Sequence, residues 1–150
     1  MLQIVEGSLV ENLPKMQEIM RDHWAEVGSH QGVRALNIPA DKYADLESRG
    51  MLLSLFALDE RGEIAGYSIN IVAMNMHSAD TCYVQNDALF LSNAHRKGFA
   101  GIRLMKETEK AAKARGAKLM IWHAKEQTGL DRLLPLLGYG VLDVMYSKEI

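Results

Sequence analysis

The sequence predicts a mixed α/β (α+β) domain: a central sheet of about six to seven strands flanked by about four helices, in the order β-α-α-β-β-β-α-β-α-β. Three observations carry that expectation. Short apolar runs alternate with stretches of helical period along the 150-residue chain. Residues 51–76, "MLLSLFALDERGEIAGYSINIVAMNM", place two apolar runs around a polar turn, the mark of a hairpin. Residues 82–124 read strand, amphipathic helix, strand, which makes a βαβ unit and so one parallel pair in an otherwise antiparallel sheet.

The elements follow in order. "LQIVEG" is a short strand that Gly7 ends. Asn12 is the expected N-cap of a first helix, with Pro14 in its first turn, where a missing N–H costs little. Leu13, Met16, Met20, Trp24 and Val27 then recur at three and four residues along one helical face. "IPADKYADLESRG" forms a second helix closed by Gly50, and the hairpin comes next. "TCYVQNDALFL" is another strand. Beyond a basic loop, Leu104, Met105, Thr108, Ala111 and Ala112 line one side of a helix capped by Gly116. "AKLMIWHA" returns as a strand, "GLDRLLPLLG" is a short helix, and "YGVLDVMYSKEI" is the expected closing strand.

Composition narrows the function. Apolar residues make up 48% of the chain and charged residues 24%, as in an ordinary globular domain, and the length suits a single domain spanning residues 1–150. A net charge of −2 gives no overall pull toward nucleic acid or anionic lipid, so any anion site must be a local basic patch. Arg21, Arg34, Lys42 and Arg49 are interspersed with Asp22, Asp41, Asp45 and Glu47, which argues against a nucleic-acid groove. A lone Cys82 excludes an internal disulfide, and the five histidines show no metal-ligand spacing. No apolar run approaches the roughly 18 residues of a membrane span, and "MLQIVEGSLVENLPK" does not read as a signal peptide. A reducing, cytoplasmic setting is expected.

The loop after "NDALFLS" holds His95, Arg96, Lys97, Gly98, Phe99, Ala100 and Gly101 and then opens a helix. The first N–H groups of a helix have no internal partner, and small residues let a phosphate approach them. Arg96 and Lys97 add full charges, a design suited to a pyrophosphate. Neither the Walker A pattern nor the Rossmann glycine fingerprint is present.

With this loop, the chain resembles the GCN5-related N-acetyltransferases. Their pyrophosphate loop reads Gln/Arg-x-x-Gly-x-Gly/Ala, and His95-Arg96-Lys97-Gly98-Phe99-Ala100 fits it except at His95. The flanking strand and helix, "AKLMIW", and "LLPLLGYG" match the order of that family over nearly the whole length. The resemblance implies acetyl-CoA in a gap between two splayed parallel strands. Backbone groups of Leu89, Phe90 and Leu91 would hold its pantetheine arm, and residues from His95 to Gly101 its pyrophosphate. It further implies transfer of an acetyl group to a primary amine, no metal, and, as in many relatives, a homodimer.

Such a transfer requires a deprotonated amine, a stabilised oxyanion and a departing thiolate. The family often places an acidic base on its fourth strand. Asp87 is that candidate here, and simple alternation would face it to the same side as Leu89. The family's acidic tyrosine would fall at Leu134, so it is missing, and Tyr146 on the closing strand is the possible substitute. Trp24, Glu26 and His30 are candidates for holding the acceptor, Glu26 as a counter-charge and Trp24 as a stacking face, although Trp24 also fits the core stripe. A non-catalytic CoA-binding or regulatory module is the alternative.

Overall fold

The structure is a computed structural model that describes residues 1–28, 32 and 34–150. Among the described residues, five strands form one sheet in the order β1-β2-β3-β4-β5. They are β1 Gln3–Glu6, β2 Leu52–Leu58, β3 Ile64–Asn75, β4 Ser78–Leu91 and β5 Leu119–Ile121. The first four pair antiparallel in sequence order, and β5 joins β4 in parallel through Tyr83–Leu119, Val84–Met120 and Gln85–Ile121.

The helices are α1 Leu9–Asn12, α2 Gln17–Val27, α3 Ala40–Ser48, α4 Ala100–Ala114 and α5 Leu130–Leu136. Helices α1 to α3 cover one face of the sheet. Leu9, Met16 and Met20 pack there against Phe56, Tyr67, Ile69 and Phe90. Helix α4 covers the other face, where Leu104 and Ala112 meet Leu53, Leu55 and Val84. Strand β2 is therefore buried on both faces, and each of its large apolar side chains contributes about 1.5–3 kcal/mol by leaving water. Helix α5 closes a smaller cluster, Leu134 with Met105 and Trp122.

The expected first helix is two pieces. Ser8, not Asn12, caps α1, and its Oγ accepts a hydrogen bond from the Glu11 N–H at 3.1 Å. Pro14 lies in a 3₁₀ turn, Leu13–Lys15, that separates α1 from α2. Glu47 of α3 accepts hydrogen bonds from the Ser8 hydroxyl and, at 2.7 Å, from the Leu9 N–H, which ties α3 to the start of α1. Residues 74–80 close the long β3–β4 hairpin, with only Met76 and His77 between the strands.

Two further expectations fail. "AKLMIWHA" is a strand only over Leu119–Ile121. Residues 139–150 form no strand, so the sheet has five strands rather than six or seven. The apolar pattern of that segment is real, but among the described residues no strand of the sheet pairs with it.

Candidate active site

Strand β4 positions the site. On its β3 side it is paired to its end, Gly66 against Leu91. Gly66 is needed there: a Cβ would lie 2.7 Å from the Phe90 carbonyl oxygen and 2.6 Å from Leu91 Cδ1. On its other side β4 loses its partner after Gln85, because β5 stops at Ile121. Among the described residues, no strand pairs with Asn86–Leu91 on that side. The result is an unpaired edge of β4 that begins where its parallel partner stops.

A β-bulge sits at the start of that edge. Asn70 pairs with Asn86 and Ile69 with Ala88, which leaves Asp87 as the extra residue of β4. Val84 and Leu89 lie five residues apart, so alternation would set them on opposite faces. Both nevertheless pack in the α4 cluster, because the bulge resets the phase. Asp87 is turned the other way, and its Oδ2 accepts a hydrogen bond from the Tyr43 hydroxyl of α3 at 2.7 Å. Asp87 and Leu89 thus face opposite sides, contrary to expectation.

Asn86 holds the bulge in place. Its Nδ2 lies 3.2 Å from the Ile69 and Ala88 carbonyls and 2.9 Å from Asn70 Oδ1, and its side chain is buried with Ser68 and Asn70. Buried polar groups need such partners. Three successive polar residues, Gln85-Asn86-Asp87, between Val84 and Ala88 were the sequence signal for this break.

Around Asp87 lies a group of aromatic and charged side chains. His23 Nδ1 is 2.7 Å from the Tyr67 hydroxyl, and the imidazole stacks on Phe90 with centroids 4.7 Å apart. Burial pushes His23 down to about 4, only partly offset by the nearby Glu26 charge, so the ring is neutral at pH 7. Arg96, Lys125 and Asp87 also act on it. Burial first, then the Asp87 charge, raises Tyr43 above the ordinary tyrosine range and keeps it a proton donor. Burial likewise raises Tyr67.

Arg96 and Glu26, expected in separate roles, form one ion pair. Both guanidinium nitrogens bond the two Glu26 oxygens at 2.7 Å, Nε donates to the Leu91 carbonyl at 2.6 Å, and the group lies 5.1 Å over Phe90. That hydrogen bond is the main reason Glu26 titrates below the usual carboxylate range. Arg96 is thus turned toward α2 and away from the loop. Trp24 is half-buried, and Arg34 already stacks on its ring at 5.7 Å. His30 lies outside the described residues.

The loop itself is well suited to an anion. Ser92 donates its N–H to the Ala65 carbonyl, and the His95 ring bonds the Ser92 hydroxyl at 2.8 Å, fixing a 3₁₀ turn over Asn93–His95. Gly98 has φ +68°, a left-handed conformation that favours glycine. Helix α4 starts after Phe99 with no side-chain cap and no acid in its first turn. Beside it is a groove of about 590 Å³ lined by His95, Lys97, Arg61 and Arg103 together with Asp59 and Glu60, Arg61 lying 3.6 Å from the Asp59 carboxylate.

The remaining candidates are not brought to this site. Tyr146 is 93% exposed on the C-terminal segment, and Leu134 is buried against Met105 and Trp122. Tyr139 packs as a structural aromatic, edge-on to Trp122, with its hydroxyl on Glu109. Burial and that bond push it up to about 12. Among the described residues no cluster of three potential metal ligands occurs, and no helix is long and apolar enough to cross a membrane.

Solved structures share this arrangement end to end. An aminoglycoside acetyltransferase from an uncultured soil metagenomic sample superimposes with a TM-score of 0.78 at 16% identity, over 100% of this chain and 99% of that one. The fold is that of the GCN5-related N-acetyltransferases. A ribosomal-protein-alanine N-acetyltransferase from Brucella melitensis biovar Abortus 2308 has the same N-acetyltransferase fold, with a TM-score of 0.73 at 15% identity over 100% and 99% of the two chains. An acetyltransferase from Trypanosoma brucei gives 0.71 at 13% identity over the full length of both. No protein-family profile and no curated protein matches the chain.

Proposed function

We propose that this chain transfers an acetyl group from acetyl-CoA to a primary amine by direct attack in a ternary complex. The observation that supports this best is the free edge of β4 from Asn86 to Leu91, with the Asp87 carboxylate on a bulge at its mouth and the uncapped start of α4 at its end. An extended pantetheine arm can bond that edge as an added strand would. The pyrophosphate then reaches the helix N-terminus, with Gly98 and Lys97 beside it.

In the reaction Asp87, directly or through water, takes a proton from the ammonium form of the acceptor. The amine nitrogen attacks the thioester carbonyl carbon, the C–S bond breaks, and the CoA thiolate leaves and is protonated. Tyr43 holds the Asp87 carboxylate toward the acceptor side. With Glu26 bound to Arg96, Asp87 is the carboxylate that remains to meet a cationic acceptor. A small-molecule amine is the acceptor class proposed, as the name of the aminoglycoside acetyltransferase of the same fold has it. A CoA thiolate is a good leaving group, so the reaction needs no dedicated acid in place of the missing tyrosine.

The test has two parts. At a hundredfold excess over its Kd, acetyl-CoA should add about 2.7 kcal/mol to stability, a clear rise in Tm, while ATP and dephospho-CoA serve as controls. Asp87→Asn should retain that rise and lose about 10²- to 10⁴-fold in transfer to an amine acceptor. No Tm response to acetyl-CoA would remove the CoA site. Undiminished transfer by the variant would remove Asp87 from the mechanism.

A further inference from the structure

Asp87 has an opposite number on the chain that leaves β5. The last pair of the β4–β5 ladder is Gln85–Ile121, and two residues on from each stand Asp87 and His123. Both lie on the face that α1 to α3 cover. On β4, Val84 packs against α4, so Gln85 turns to the other face, where Asp87 meets Tyr43. Beyond β5, Trp122 and Ala124 pack with Met105 of α4 and leave His123 and Lys125 exposed on the opposite side. Gln85 joins the two chains: its amide donates to His123 Nε2 at 3.1 Å, which puts the ring proton on Nδ1.

The charges around this opening converge on His23 of α2. Those that act on its ring are Glu26, Arg96, Lys125 and Asp87. Glu26 and Arg96 neutralise each other as a pair. Asp87 and Lys125 remain, and among the described residues neither has an ion-pair partner. An anion on the β4 side thus faces a cation and an N–H donor on the β5 side. Paired strands lie about 5 Å apart, so two residues past the ladder the two poles are within the span of one small molecule.

We propose, resting on the acetyl-transfer reading above, that the acceptor is an amino acid: an amine with a carboxylate a few bonds away. Asp87 receives the ammonium, and Lys125 with His123 Nδ1 holds the carboxylate. The transfer keeps its balance. Asp87 takes the amine proton, the N–C bond forms, the C–S bond breaks, and the thiolate leaves and takes a proton from solvent. A diamine would set its second positive charge against Lys125, and a neutral amine would leave Lys125 without a counter-charge. The site therefore selects for one acceptor class and against two others.

The test compares amino acids with their own carboxamides as acceptors, which keep the shape and lose the negative charge. The acids should show kcat/KM higher by about tenfold or more. Lys125→Gln, at an exposed position, should raise the KM for the acids until they serve no better than the amides, with the Tm rise on acetyl-CoA retained. Lys125→Glu should reverse the preference and favour a diamine over an amino acid. Amides accepted as well as the acids overturn the inference. So does a Lys125→Gln chain that keeps the full preference, or one that loses the Tm rise, which would put Lys125 on CoA. A parent chain that responds to acetyl-CoA but acetylates only amines without a carboxylate overturns the inference and leaves the reading beneath it standing. A parent chain with no response to acetyl-CoA overturns both.

Discussion

The two edges of β4 are built from the same residues and do opposite things. Along β3 the strand is hydrogen-bonded from Ser78 to Leu91, and Gly66 lets the two backbones pack closely at the end. Along β5 it is bonded only as far as Gln85. The paired edge fixes where Asn86–Leu91 sit, and the free edge leaves their other side for a ligand. Rigidity on one side is what lets the other remain open without collapsing.

The largest effect is expected at His23, on the helix side of β4. Its folded pKa of about 4 lies below the ordinary 6.5, so between these values the unfolded chain binds the extra proton. Stability therefore rises with pH through that window and is lost as pH falls from about 6.5 toward 4. Urea midpoints at pH 7 and pH 4.5 should show this, with a shallower fall in His23→Gln. Equal slopes in the two proteins would place the acid sensitivity elsewhere.

On the paired edge, Gly66→Ala must displace the Phe90–Leu91 backbone and should cost about 1–3 kcal/mol. It should also weaken acetyl-CoA binding, since the free edge moves with the paired one. A stable variant with altered binding would show the edges to be separable. Tyr43→Phe removes one hydrogen bond to Asp87 at an exposed carboxylate, about 1 kcal/mol, and should lower transfer five- to tenfold. Titrating the activity against pH separates positioning from folding: the variant should shift the profile and leave the Tm nearly unchanged. The smallest effect belongs to Glu26→Gln, whose half-exposed pair with Arg96 contributes at most about 1 kcal/mol. If freeing Arg96 improves CoA binding, its guanidinium can turn to the loop. No change would confine it to holding α2 on β4.

Much of this was legible in the chain. The hairpin over β2 and β3, the βαβ unit and the glycine-bearing loop each follow from local period and punctuation, and the structure has them. What escaped depended on contacts distant in sequence. No spacing announces that Arg96 meets Glu26 seventy residues earlier, or Tyr43 Asp87. The bulge was visible only as a break in alternation at Asn86-Asp87, and strand periodicity assumes no such break. The closing segment has the right composition for a strand, yet composition cannot say whether any edge pairs with it. The extra turn α1 ahead of the expected N-cap Asn12 escaped because its start is set by Ser8 together with Glu47, which is distant in sequence.

The bulge at Asp87 has one more consequence. A residue outside the ladder bears no share of the pairing, and the paired neighbours Asn86 and Ala88 hold the backbone around it, with the Asn86 side chain bracing the turn. The side chain at position 87 can then be exchanged during evolution with little penalty to folding. Under the proposed mechanism the reactive group becomes a replaceable part on a fixed mount, and new acceptors can be tried without first surviving a loss of structure.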